Sequence, residues 1–547
     1  MINRQIAMAL LTLAVATNVT LSSCSSEVTL QVRTEQGIVE GFDQEGVKTF
    51  LGIPFAAAPV GDLRWKAPQA APKWEGVRDA KAFGNDPMQP DIFGDMNFRG
   101  PKKSEDCLYL NIWTCASGTS DKLPVLIYFN GGGLMAGSGS EPRYDGAAIA
   151  REGVIGVTAN YREGIFGFFA HPELTAEEGG SGSYGHLDQV AAIKWVRDNI
   201  SAFGGDPGRI TIAGESAGSF SVALLMASPL SKDLIAGAIL SSGAEMMPYK
   251  AVPLDVAEAD GKARLEEKAV MSISAARDIP AYELQSMFPP VGMSRLILDG
   301  VFMSEPADAV FARSEQAPVP MLAGWNSLEG TPLQSLMGME PNLDNYRKVM
   351  SALFGDMTDE IFDAYGLKTD DDLFGQKGQN LAGDMFTGLC TWKACDYQSR
   401  IQTVYRYKYN HPRPKPSAMM GDKTGALAGG VREKTEEEKN APAPNFPMPK
   451  GAVHSADIEY AMGNLATNVY YDWQKEDYAI SKLFLSYYAN FCKKGNPNGK
   501  GLPQWAPLDP ENGKAPVMQI DVESGELDDP ALENAYRTLE KFYTKNQ

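Results

Sequence analysis

Residues 124–129 read Pro-Val-Leu-Ile-Tyr-Phe, a run with no charged side chain. An unbroken apolar run of this length predicts a strand covered on both faces. Comparable runs recur at 153–160, 210–213, 238–241 and 319–324, and 403–409, although it carries Arg406 and Lys408, predicts a further strand. Ahead of the run at 210, Leu187, Val190, Ile193, Val196, Ile200 and Phe203 repeat at three- and four-residue steps. That spacing lines one face of a helix. After it, Phe220 to Met226 continues as a second helix. Strand and helix in alternation imply parallel pairing through right-handed crossovers, so the fold class is α/β.

The N-terminal part is patterned differently. Short segments at 28–32, 37–42 and 47–51 predict strand hairpins. The prolines of 52–68 are barred from helix interiors and central strands, which predicts an ordered loop packed by Phe55, Leu63 and Trp65. From about Met246 to Gly292 the pattern weakens, with Met246, Met247, Met287, Phe288 and Met293 scattered among helical segments. Methionine adapts to irregular surfaces, so this region is expected to cap a pocket. Residues 411–450 are rich in proline, glycine and charge. They predict a long surface insert whose base lies near the histidine loop discussed below; either Met419, Met420, Phe446 and Met448 cover the entrance, or the insert is disordered and has no role.

Composition narrows the picture. The chain has 547 residues, 44% of them hydrophobic, and no linker or repeat divides it, so a single domain over 24–547 is expected. A net charge of −19 argues against nucleic-acid binding and against adhesion of the globular part to anionic membranes. No H-E-x-x-H spacing, phosphate loop or dinucleotide fingerprint occurs, so neither metal nor cofactor is expected. At the N-terminus Arg4 precedes an apolar stretch from Ile6 to Val19, which predicts a signal peptide over 1–23. Beyond Cys24 there remain Cys107, Cys115, Cys390, Cys395 and Cys492, an odd number that cannot all pair within one chain.

The candidate chemistry centres on Gly214-Glu215-Ser216-Ala217-Gly218. A serine between two glycines, after a buried strand and before a helix, predicts a sharp turn that holds the hydroxyl clear of the sheet beside a helix N-terminus. Asn130-Gly131-Gly132-Gly133, at the end of the strand 124–129, lets backbone N–H groups approach a ligand closely.

The longer string FGGDPGRITIAGESAG at 203–218 resembles the serine signature of the type-B carboxylesterases, the cholinesterase-like esterases and lipases of the α/β-hydrolase class. GIPFAAAPVGDLRWKAP at 52–68, EDCLYLNI at 105–112, Asn160-Tyr161-Arg162, GWNSLEG at 324–330 and GAVHSAD at 451–457 resemble further motifs of that family, collinear along almost the whole mature chain. The resemblance implies an α/β-hydrolase fold, with a large mostly parallel sheet, flanking helices and helical cap insertions. It also implies a serine hydrolase of small-molecule carboxylic esters that works through an acyl-enzyme. Ser216 would be the nucleophile, Glu329 the acid and His454 the base, with the Gly132, Gly133 and Ala217 N–H groups as oxyanion donors. Of the four histidines, only His454 follows a core strand in the order serine, acid, histidine that this fold uses. Glu215 is a second-tier candidate, either part of the site or a structural carboxylate under the turn.

Two departures from the family stand out. Asn130 replaces the usual histidine or tyrosine, and is expected to support the glycine loop without donating to the oxyanion. Many relatives pair the cysteine equivalent to Cys107 with one about twenty residues earlier; here no cysteine lies between Cys24 and Cys107, so that bridge is absent. Leu21-Ser22-Ser23-Cys24 resembles the lipobox of bacterial lipoproteins, which implies lipid on Cys24 and a cell-envelope location; an ordinary secretory signal with Cys24 incidental is the alternative. Two functional alternatives also stand: a non-catalytic binding or adhesion protein on the same fold, and an acetyl or feruloyl esterase that trims polysaccharides.

Overall fold

The computed structural model describes residues 28–94, 96–288, 296–425, 430–440, 449–527 and 529–545. Its centre is an eleven-stranded sheet. In chain order the strands are β1 (Phe42–Gln44), β2 (Val47–Pro54), β3 (Tyr109–Thr114), β4 (Leu123–Phe129), β5 (Ile155–Ala159) and β6 (Gly205–Glu215). They continue as β7 (Gly237–Ser241), β8 (Met321–Asn326), β9 (Val404–Tyr409), β10 (Val517–Ile520) and β11 (Gly525–Leu527). Across the sheet the order is β11-β10-β9-β8-β7-β6-β4-β5-β3-β2-β1. Pairing is parallel from β10 through to β5 and antiparallel at both margins.

The apolar runs explain how the sheet is covered. Along β4, Val125, Ile127 and Phe129 enter one core cluster with Ile193 and Val196 of α1 (Tyr184–Asn199) and Val222 of α2 (Ala217–Ala227). The alternate residues Leu126 and Tyr128 enter a second cluster, with Phe484 and Tyr488 of α4 (Lys475–Lys494). Strict alternation between two cores is what a strand buried on both faces requires. A third cluster joins Trp392 of α3 (Leu389–Gln398) to Tyr536 and Leu539 of α5 (Pro530–Lys545).

After β4 the chain passes to β5 on one side and then to β6 on the other. The order reverses there, and in open α/β sheets ligands bind at the carboxyl ends of the strands beside such a reversal.

Several details differ from the sequence reading. The run 37–42 divides between two sheets: Ile38–Glu40 pairs with Gln31–Arg33 and Val77–Asp79, whereas Phe42 opens β1. The chain crosses over at Gly41, where a Cβ would stand 2.3 Å from the Thr49 carbonyl oxygen. The start of the proline-rich loop belongs to β2, whose ladder slips between Phe50 and Ile53, at Gly52 with φ +65°. Phe55 and Trp65 are buried and Leu63 half-buried. In 246–288, helices at Leu254–Glu267, Ile273–Asp278 and Ala281–Met287 bring Leu265, Ile273 and Leu284 against Trp65 and Phe169; Met293 lies outside the described residues.

The insert carries structure of its own, a hairpin pairing Lys423–Gly425 with Val431–Glu433, and a helical turn at Glu436–Asn440. Met419 is exposed and Met420 buried, while Phe446 and Met448 lie outside the described residues, as do Cys24 and residues 1–23, the expected signal peptide. Among the described residues no helix is long and apolar enough to cross a membrane.

Candidate active site

β6 ends at Glu215 and α2 begins at Ala217, so one residue must turn strand into helix. Ser216 does so with φ +55°, a left-handed conformation costly for a residue with a Cβ. Its N–H donates to the Ser241 carbonyl at 2.9 Å, and its carbonyl accepts from Phe220 at 3.0 Å, which pins the turn from both sides. The flanking glycines are required by close approach. A Cβ on Gly214 would stand 2.4 Å from the Gly218 carbonyl carbon, and one on Gly218 2.2 Å from the Phe129 oxygen.

Glu329 and His454 arrive on two loops tied to each other. Leu328 N–H donates to the Ala452 carbonyl at 2.8 Å, and Ala452 N–H to Ser327 Oγ at 2.9 Å. Just past β8, Glu329 Oε1 accepts from Ser242 Oγ at 2.5 Å and from the Asn326 N–H at 2.6 Å, while Oε2 lies 2.6 Å from His454 Nδ1. The other ring nitrogen, Nε2, is 3.0 Å from Ser216 Oγ. With Nδ1–H donating to Glu329, a neutral ring leaves Nε2 as an acceptor facing the serine hydroxyl. An activated serine nucleophile needs that tautomer.

Glu215 stands closer to this row than a purely structural carboxylate needs to, with Oε1 3.3 Å from His454 Nε2. Burial pushes its carboxyl well above the ordinary range. His454 is pulled down by burial, but the carboxylates of Glu215 and Glu329 outweigh this and raise it. Behind them Asp457, also raised by burial, is held by Ser241 Oγ and by Asn326 Nδ2 at 3.1 Å.

Ser216, His454, Glu215 and Gly131 to Gly133 line a cavity of about 390 Å³. Gly132 has φ +116° and Gly133 φ +66°, and a Cβ on Gly132 would overlap the Ala136 oxygen at 1.7 Å. Among the described residues the N–H groups of Gly132, Gly133 and Ala217 donate to no protein acceptor. Ala217 is the first residue of α2, so its N–H is free by position. Asn130 braces this loop, its Nδ2 donating to the Gly131 oxygen and to Glu163 Oε1, both at 3.0 Å.

The remaining walls are mostly apolar: Phe93, Met96, Met135, Tyr144 and Phe386. The sequence reading named none of these five as a cavity wall, and the described residues of the expected cap, 246–288, supply none of the lining. Phe386 packs its ring 5.1 Å from that of His454.

Residues 28–539 match the profile of the Carboxylesterase family. The chain belongs to the carboxylesterase family. This carboxylesterase is 41% identical over 413 residues to the fumonisin B1 esterase of Sphingopyxis macrogoltabida, covering 72% of the chain and 73% of that relative. It is 31% identical over 498 residues to human cocaine esterase, covering 85% of the chain and 82% of the relative. Carboxylesterase EST55 of Geobacillus stearothermophilus superposes with a TM-score of 0.74 at 27% identity, over 93% of this chain and all of the other (100%). A PNB esterase superposes with a TM-score of 0.75 at 27% identity, over 93% of this chain and 99% of that one.

The carboxylesterase uses its other histidines in packing. His171 caps the helix Pro172–Glu178, His186 stacks on Phe302, meets Phe168 edge-on and is pulled down to about 4 by burial, and His411 bridges Asp477 and Asp521. Cys107, Cys115, Cys390, Cys395 and Cys492 are all unpaired. Among the described residues no group of three His, Cys, Asp or Glu side chains is arranged to hold a metal.

Proposed function

We propose that this carboxylesterase hydrolyses carboxylic esters through an acyl-enzyme on Ser216. Ser216 Oγ attacks the ester carbonyl carbon as His454 Nε2 takes its proton. Glu329 holds the ring in the required tautomer and stabilises the imidazolium that forms. The carbonyl oxygen, now negative, is held by the N–H groups of Gly132, Gly133 and Ala217; one such donor is worth about 3–4 kcal/mol in comparable sites. His454 returns the proton to the departing alkoxide, releasing the alcohol. A water then follows the same route, its proton passing to His454 and its oxygen to the acyl carbon, and Ser216 leaves reprotonated.

The observation that carries the proposal is the unbroken row from Ser216 Oγ through His454 to Glu329, with links of 3.0 and 2.6 Å. A binding or adhesion protein has no use for that row. Ser216→Ala is expected to lower kcat/KM for 4-nitrophenyl acetate by about 10⁴-fold or more and to abolish labelling by a fluorophosphonate probe. Activity within a few-fold of the parent would overturn the assignment. We further propose that Cys24 carries lipid and tethers the enzyme in a bacterial cell envelope; its test is argued below.

A further inference from the structure

Beside the active-site cavity lies a second one, of about 220 Å³. Met96 and Arg143 line both. The second cavity is otherwise polar, with Asn97, Glu141, Asn468 and Tyr470 in its walls, and Val431 of the insert hairpin closes one side.

Its charges are matched. Arg143 Nε and Nη2 donate to the two Glu141 carboxylate oxygens at 2.9 and 3.2 Å. Next to them Arg413 Nη2 donates to Glu459 at 2.9 and 3.0 Å, and Asn468 Nδ2 to the same carboxylate at 3.1 Å. An added anion or cation would meet no uncompensated partner here and would lose its hydration. Two donors are left over, Arg413 Nε and Arg143 Nη1, and of these two arginines only Arg143 lines the cavity. Arg143 is 5% exposed, yet its Nη1 has no acceptor. A buried donor without a partner is uncommon enough to call for one.

From these observations we propose that the second cavity is a substrate subsite for a neutral, hydroxyl-rich group, such as a sugar ring, attached to the ester held at Ser216. A hydroxyl oxygen supplies the acceptor that Arg143 lacks, and other hydroxyls exchange hydrogen bonds with Asn97 and Tyr470. The substrate class is then an ester of a polyol, with its scissile end in the apolar cavity and its polyol end in the polar one. The inference rests on Ser216 being the nucleophile.

The test compares acetate esters that differ only in the alcohol: 6-O-acetylglucose, hexyl acetate, acetylcholine and O-acetyl-lactate. The full chain is expected to show a kcat/KM for the sugar ester at least tenfold above those for the two charged esters. Replacing Arg143 leaves Glu141 unpaired and risks misfolding, so the cavity is filled from the half-buried hairpin instead, with Val431→Trp. This variant is expected to lower the ratio of kcat/KM for 6-O-acetylglucose to that for 4-nitrophenyl acetate at least tenfold. A ratio within twofold of the parent, or preference for a charged ester, overturns the subsite. Loss of Ser216-dependent turnover of 4-nitrophenyl acetate in the parent would instead defeat the nucleophile assignment, so the two failures are distinguishable.

Discussion

Glu215 and His454 lose their first proton as a pair. Two arrangements compete at that stage. Neutral His454 beside protonated Glu215 is competent as a base; protonated His454 beside ionised Glu215 is not. The second is favoured by the 3.3 Å separation of the charged atoms, and the carboxylate of Glu329 on the opposite ring nitrogen also holds the proton on His454. Glu215→Gln removes the incompetent arrangement, so the competent one is reached at lower pH. The acid limb of the kcat/KM–pH profile is expected to move down by roughly 0.5–1 unit. A limb that stays in place or moves up would show that Glu215 acts only as a brace. Asp457 also holds the proton on His454 through its charge, but less than Glu215 and Glu329 do, so Asp457→Asn is expected to move the limb the same way by a smaller amount.

At the scale of elements, the π-helical turn Asp384–Gly388 ahead of α3 swings Phe386 into the cavity. Such turns insert an extra residue into a helix and cluster at functional sites. This one is held from three directions: Tyr365 and Tyr536 donate to the Asp384 carboxylate at 2.9 and 2.5 Å, and Tyr249 donates to the Phe386 carbonyl at 2.6 Å. Phe386→Ala is expected to raise kcat/KM for 4-nitrophenyl butyrate relative to the acetate at least threefold, by opening space beside His454. An unchanged ratio would mean that the ring does not limit the acyl chain. The contrast with Ser216, Glu329 and His454 shows what the sequence can disclose. Ser216 and Glu329 each follow a buried strand in a short turn of distinctive composition, and His454 lies in the compact string GAVHSAD past the insert, so order and local pattern mark them. Phe386, Phe93, Met96 and Met135 are single apolar residues on turns or loops, where no periodicity separates a cavity wall from a core. The sheet margin was hard to read for a related reason, since the run 37–42 looks continuous until packing at Gly41 divides it.

For the whole molecule, the fold sets what the proposed lipid on Cys24 would do. Val28, the first described residue, is buried, and its N–H donates to the Ser117 carbonyl at 3.0 Å, in the loop between β3 and β4. Ser216 and the glycine loop lie at the other end of the same sheet, past the carboxyl ends of β6 and β4. Val28 is four positions on from Cys24 in the sequence, a reach of at most about 14 Å. Lipid on Cys24 would therefore hold the body close to a membrane, with the cavity turned away from it. Cys24→Ser is expected to move the enzyme from the membrane fraction to the soluble one without changing kcat/KM for 4-nitrophenyl acetate. A native N-terminus at another residue, found unmodified by mass spectrometry, would overturn the anchor.

His454 lies 238 residues after Ser216 and 125 after Glu329. On the proposed mechanism, a ribosome that has finished Ser216 has therefore made a polypeptide with no base to activate it. The chain stays chemically silent through most of its synthesis and becomes an enzyme only when its last third has been delivered and docked. If it is exported unfolded, esters of the compartment where it is made are never at risk from it.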